Sequence, residues 1–226
     1  YEFDIVSEKP AFRIKGLIDK PSINDTYVFI NIGKWEIRKG HDLIPELFSN
    51  AFTDGDNVEL WMINHNPFLN TKQINEWVSF YQQSSLSAKI RFFPRLSTQQ
   101  ELSRIMGYAD CGLFPSRGEG WNNEAIEMLA KNKPVIITDY SAHTEYCTKD
   151  NSFLINIDNF ISAIDNMWFD GSGEWAEIGD NQIDQIIEHM RYAYKNNIRT
   201  NENGLKTAQF YSWDRTVSII QDNLGV

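Results

Sequence analysis

The chain has 226 residues, 42% of them hydrophobic and 23% charged. This is the balance of a globular protein able to bury roughly 70% of its unfolded surface in one large domain or two small ones. A formal net charge of −10 argues against a nucleic-acid binder or a binder of acidic membranes, either of which would present a basic face. A small anionic ligand stays open, because local cations and helix N-termini act inside a distant negative field.

In chain order, residues 1–25 carry weak patterning and read as a lead-in or linker. Six apolar runs then follow, at 27–32, 58–63, 89–93, 111–114, 134–138 and 153–157. Helix-like segments lie between them at 40–51, 71–83, 98–108, 123–132 and 141–147. Short buried strands alternating with helices predict βαβ units and a doubly wound parallel sheet of Rossmann-like α/β type. Beyond 158 the pattern turns helical, with segments predicted at 159–169, 180–196 and 212–224 and a loop at 170–173. The expected organisation is one domain over 26–226 with a helical C-terminal tail. Cys111 and Cys147 both lie in apolar surroundings, so two free thiols in a reducing, cytoplasmic setting are expected. No apolar run is long enough to span a membrane.

In open parallel sheets, ligands bind beyond the carboxyl ends of the strands. The loop after 27–32 reads Gly33-Lys34-Trp35-Glu36-Ile37-Arg38-Lys39-Gly40, with three cations in six residues and a glycine at each end. It suits a phosphate clamp, supported by a helix expected to continue from Lys39, although a basic loop standing alone is more often only solvated. It is neither a Walker A loop nor G-x-G-x-x-G. The second loop follows 111–114 and runs GEGWNNEAIE over 118–127. Asparagine caps helices well and Glu124 in the first turn complements the helix dipole, so helix-start chemistry covers Asn123 and Glu124. It does not cover Glu119 or Glu127. Both can face one crevice, where carboxylates accept hydrogen bonds from hydroxyls while backbone N–H groups take a phosphate, a combination suited to a nucleotide sugar.

Weaker signals are Asp54-Gly55-Asp56, which matches a metal-binding Asp-x-Asp but reads as a plain turn, and four scattered histidines without metal-ligand spacing. No metal site is expected. His143 and Glu145 could reach the crevice or serve capping and packing equally well.

Glu119-x7-Glu127 within EGWNNEAIEMLAKNKPVIITD resembles the Glu-x7-Glu motif of retaining GT-B glycosyltransferases, the glycosyl transferases of group 1. INIGKWEIRKGHDLI resembles that family's G-R-x4-K-G phosphate loop. IRFFPRLSTQQELSRIMGYADCGLFPS and QFYSWDRTVSII are similar to its segments leading into the donor site and into the C-terminal helix. The likeness covers about 27–224 in order. It implies the C-terminal, donor-binding Rossmann-like domain of a two-domain enzyme, with the N-terminal acceptor domain missing; Tyr1 as first residue agrees with a fragment. It also implies a nucleoside diphosphate sugar as donor, no cofactor or metal, and an unknown glycan, lipid or protein acceptor.

Carried over by position, Glu127 accepts from ribose hydroxyls, and Glu119 contacts the donor sugar and stabilises charge as the glycosidic bond breaks. Lys34 and Lys39 neutralise the diphosphate leaving group. Gly33 and Arg38 belong to the phosphate loop. Gly120, Trp121, Asn122 and Asn123 offer the helix-start backbone, and Leu96 contacts the base. Three departures stand out: Lys34 in place of arginine, Asn123 and Glu124 in place of apolar or small residues, and Asn132 in place of glycine. A nucleotide-sugar epimerase of the same architecture and a non-catalytic sugar-nucleotide or partner-binding module remain alternative readings.

Overall fold

A computed structural model describes residues 25–165 and 167–225. The expected lead-in, residues 1–25, lies outside the described residues except for Asp25. Six strands form one all-parallel sheet: β1 (Tyr27–Gly33), β2 (Val58–Asn64), β3 (Ile90–Phe92), β4 (Cys111–Phe114), β5 (Val135–Thr138) and β6 (Phe153–Ile155), in the order β3-β2-β1-β4-β5-β6. This is the doubly wound arrangement, whose direction of winding reverses between β1 and β4.

The apolar runs are continuous because both faces of the sheet are covered. Tyr27, Phe29, Leu60, Met62, Leu113 and Ile136 point to one side, against α1 (Ile44–Ala51), α2 (Thr71–Gln82) and α5 (Asp180–Lys195). Val28, Ile30, Trp61, Ile63, Val135 and Ile137 point to the other, against α3 (Gln99–Tyr108) and α4 (Asn123–Ala130). Alternation along each strand feeds the two cores in turn, so no strand shows a polar face. The chain ends in α6 (Glu202–Phe210) and α7 (Trp213–Leu224).

Four local expectations are corrected. The predicted helix at 159–169 and loop at 170–173 are an antiparallel hairpin of β7 (Phe160–Ile164) and β8 (Asp170–Ala176). The Asp165 carboxylate organises its turn by accepting N–H groups of Met167, Trp168 and Phe169 at 2.7–2.9 Å. An aspartate turn followed by Gly171 at φ +97° stops a helix and reverses the chain. Helix α6 falls outside the predicted helical segments, because Gly204 in its first turn weakens the helical pattern. That glycine is needed, since a Cβ there would lie 2.7 Å from Leu129 Cδ2 of α4.

The helix expected from residue 40 starts only at Ile44. A short 3-10 turn, Ile37–Lys39, ends at Gly40 (φ +75°), so no helix N-terminus stands at the cations of the loop. A Cβ at Gly40 would meet the Pro115 carbonyl oxygen at 2.1 Å, so the glycine is fixed by a close approach of two loops. The segment 141–147 is a 3-10 turn, Ser141–Glu145, rather than an α-helix.

Candidate functional site

The β1 loop and the β4 loop face each other across the point where winding reverses. The backbone N–H of Arg117 donates to the carbonyl of Arg38 at 2.7 Å, and the guanidinium of Arg117 grips Asp42 with two bonds of 2.7 and 2.8 Å while also donating to the Ile37 carbonyl. Neither Arg117 nor Asp42 was singled out from sequence. Their pairing joins residues 75 apart, which spacing alone cannot show.

Between the loops, Glu119 is buried, with its side chain 6% exposed, and carries two ion pairs. Its Oε1 accepts from Lys39 Nζ at 2.7 Å and its Oε2 from Arg38 Nη1 at 2.6 Å; Ser116 Oγ lies 3.0 Å from Oε1. Arg38 also bonds Glu36 at 2.7 Å. Burial pushes the Glu119 carboxyl up, but Lys39 and Arg38 together outweigh it and hold it below its ordinary value. The Lys39 stem runs across Gly33, where a Cβ would stand 2.9 Å from its Cδ. Gly33, Arg38, Lys39 and Glu119 therefore form one packed group.

Asn122 caps α4 from a left-handed backbone position (φ 69°, ψ 73°) that asparagine tolerates, its side chain facing the N–H of Ala125. Buried His143 holds that cap. Its Nδ1–H donates to the Thr138 carbonyl at 3.1 Å, and its Nε2, 3.0 Å from the Asn122 amide nitrogen, accepts from it. The bond accepted by Nε2 needs a neutral ring, and burial lowers the imidazole to about 4. His143 thus positions the helix start. Trp121 packs on Tyr146 and Tyr211, at centroid distances of 5.0 and 5.4 Å, and Gly120 has open space around it. Asn123 is exposed in the first turn.

A cleft of about 490 Å³ opens beyond the carboxyl ends of β1, β2 and β3. Lys34 lines it after β1, His65 after β2, Arg95 and Leu96 after β3, Thr98 at the cap of α3, and Glu124 from the first turn of α4. The structure brings together Gly33, Lys34 and Leu96 here. Arg95, His65 and Glu124 join them; a cation and a histidine just past strand ends were the available signal for the first two. Glu119, Lys39 and Glu127 are not in this lining. Glu127 is exposed on α4 three residues after Glu124, and partial desolvation, then repulsion from Glu124, raises its carboxyl above the ordinary value.

Asp54-Gly55-Asp56 is a turn in which Asp56 accepts from the Thr53 backbone and hydroxyl, as expected. Both cysteines are buried and free. Among the described residues no cluster of three or more His, Cys, Asp or Glu side chains could hold a metal ion, and no helix is long and apolar enough to cross a membrane.

A doubly wound sheet with a charged cleft beyond the carboxyl ends of β1, β2 and β3 defines an α/β domain with a candidate ligand site at the edge where such sheets bind. The chain belongs to the glycosyl transferases group 1, whose family model matches residues 26–170. Over 115 residues it is 28% identical to an uncharacterized glycosyltransferase of Methanocaldococcus jannaschii, covering 51% of this chain and 26% of that protein. Over 117 residues it is 28% identical to the serotype-specific mannosyltransferase WbdA of Escherichia coli, covering 52% of this chain and 14% of that protein. The matched part thus spans about a quarter or less of these relatives. In fold it is similar to the C-terminal domain of a group 1 glycosyl transferase, LpcC, from Francisella tularensis. That likeness has a TM-score of 0.62 and 17% identity, over 81% of this chain and 84% of that one. It is also similar to HepE of Anabaena, solved with UDP-glucose, with a TM-score of 0.66 and 14% identity, over 92% and 50% of the two chains.

Proposed function

We propose that the chain is the donor-binding half of a retaining glycosyltransferase, taking a sugar from a nucleoside diphosphate sugar and passing it to a glycan, lipid or protein acceptor held by a further N-terminal domain. The observation that carries this reading is the cleft beyond the carboxyl ends of β1, β2 and β3, with Lys34 and Arg95 on its wall. A diphosphate fits such a place, because the two cations compensate its charge. Membership of the group 1 family and the UDP-glucose found in HepE support it.

In this reading Leu96 meets the base, Glu127 accepts from the ribose hydroxyls, and Lys34 and Lys39 take the diphosphate. Gly33 leaves room for the Lys39 stem, and Arg38 holds Glu119 in place. The backbone of Gly120, Trp121, Asn122 and Asn123 faces the phosphate and sugar oxygens. As the glycosidic bond breaks, negative charge grows on the departing diphosphate and positive charge on the sugar. The lysines stabilise the first and Glu119, kept ionised by its two partners, the second. Fixed cations thereby take the part that a divalent metal plays elsewhere, and the chain alone turns over little or nothing. A cytoplasmic setting suits such a donor and the two free thiols.

Calorimetric titration with UDP-, GDP- and ADP-sugars tests the site. One of them should bind below millimolar concentration, and Lys34→Ala should weaken it about tenfold while leaving thermal stability unchanged, since Lys34 is exposed. Absence of binding by every donor, or an affinity indifferent to both Lys34→Ala and Glu127→Ala, would sink the proposal.

A further inference from the structure

The β7–β8 hairpin is absent from the sequence-based expectation and has no part in the donor reading, yet it crosses the site. Its base is tied to the loops after β4 and β5: the N–H of Ala176 donates to the Arg117 carbonyl at 2.8 Å, and the Phe160 ring lies 5.2 Å from that of Tyr140. Its turn reaches the loop after β2, where Trp168 meets Phe68 edge-on at 5.2 Å and 66°. The hairpin therefore spans from one side of the winding reversal to the other.

Trp168 is 52% exposed and Phe68 63% exposed. Neither is loosely held. The N–H groups of Trp168 and Phe68 are pinned by the Asp165 and Asn66 side chains at 2.7 and 3.1 Å, and Asn66 is itself buried and bonded to the Trp35 carbonyl. Lone exposed aromatics are common, but two in contact, on pinned loops, beside a polar cleft, mark a binding surface. The pair is continuous with the cleft: Pro67 and Lys34 line it, and Lys34 Nζ sits 5.3 Å from the Phe68 centroid.

We propose that Phe68 and Trp168 form a stacking platform for the pyranose ring of a carbohydrate. This rests on the donor reading for one step only: beyond the cation that receives the diphosphate, the next chemical group is a sugar. The apolar C–H face of a pyranose carries slight positive charge, which suits the negative face of an aromatic ring, while its hydroxyls remain free for water and for Lys34. Such a ring comes either from the donor or from the acceptor glycan.

The experiment is calorimetry on the full chain with four kinds of probe: UDP and GDP, UDP-glucose and GDP-mannose, methyl glucoside and methyl mannoside, and short gluco- and manno-oligosaccharides. Trp168→Ala and Phe68→Ala should each weaken carbohydrate binding about tenfold or more, Trp168→Ala should leave UDP and GDP affinity unchanged, and Trp168→Phe should retain binding. If the loss falls on the extra affinity of a nucleotide sugar over its nucleoside diphosphate, the ring is the donor's. If it falls on the free glycosides and oligosaccharides, the ring is the acceptor's.

Carbohydrate affinity that is absent, or unchanged in both alanine variants, overturns the platform. So does a concentration-dependent dimer in sedimentation that Trp168→Ala abolishes, which would give the surface to a second copy. Failure of UDP and GDP to bind, with oligosaccharide binding still lost in Trp168→Ala, would remove the donor site and leave the platform standing. Circular dichroism should show both variants folded, as neither ring belongs to the core.

Discussion

The loop between β1 and α1 carries two sets of charges that the fold treats in opposite ways. Arg38 and Lys39 are turned inward onto Glu119, with side-chain exposures of 18%, 11% and 6%, so each charge is met by another. Lys34, five residues before Lys39, is exposed toward the cleft. Among the described residues Lys34, Arg95 and Glu124 take part in no ion pair. The first set holds two loops together; the second leaves its charges for something else to meet. The closed network keeps Glu119 ionised and Lys39 in place, whereas the open charges can meet a ligand without first leaving a partner.

The largest expected effect breaks the first set. Glu119→Ala leaves Lys39 with no ion pair and Arg38 with Glu36 alone at a largely buried site, and should cost about 3 kcal/mol in urea unfolding. Lys34→Ala should stay within about 0.5 kcal/mol of the parent. A cost below about 1 kcal/mol for Glu119→Ala would show the network to be screened like a surface pair, and the contrast between the two sets would collapse.

Much of this was legible in the sequence, for reasons that differ by element. The six strands read correctly because both faces of the sheet are covered, so each appears as an unbroken apolar run. The hairpin was illegible because it buries little more than Ala163, Trp175 and Ala176, none of them in either core of the sheet, while Phe160, Ile161 and Ile164 stay half exposed. Its apolar residues are spaced for a helix as well as for a strand, and no core decides between them. Helix α6 was hidden by the glycine that lets it approach α4. At the site, GEGWNNEAIE announced a special turn, and the turn is there. Which charges it consumes was not legible. Lys34 and Lys39 are the same residue type in one loop, and only the partner some 80 residues later, Glu119, separates the fixed cation from the free one.

The second prediction concerns acid. The bond that His143 Nε2 accepts from the Asn122 cap needs a neutral ring, and burial lowers the pKa from an ordinary 6.5 to about 4. The unfolded chain takes up this proton below pH 6.5 and the folded chain only near 4, so the unfolded state binds more protons in between. Stability is therefore full above pH 6.5 and declines as pH falls toward 4, by about 3 kcal/mol from this residue. Fully buried His41, also lowered by burial, adds in the same direction. Glu119 acts lower still: its depressed carboxyl contributes above the ordinary carboxylate value and is lost as pH falls through the folded one. Urea midpoints measured from pH 7 to 4 should fall steadily, with a shallower slope in His143→Gln. An unchanged slope would mean that His143 is not held neutral by the α4 cap. Lys34→Ala should leave the slope alone, which separates the two charge sets again.

The smallest effect sharpens the open set. Glu124 is a half-buried carboxylate on a wall otherwise lined by Lys34 and Arg95, and it stands one turn before Glu127 on α4. A negative charge there opposes any diphosphate and adds to the partial desolvation that already raises the Glu127 carboxyl above its ordinary value. Glu124→Gln keeps the shape and removes the charge. Two results should follow together: the Glu127 carboxyl, followed by NMR titration, moves down toward its ordinary value, and UDP or GDP binds about two- to threefold more tightly. Both changes are small because the cleft is open and water screens the pair. If Glu124→Gln instead weakens the nucleotide tenfold, Glu124 is itself a ligand contact that accepts hydrogen bonds from base or ribose. The open set would then be a matched recognition surface rather than two cations with a misplaced anion between them.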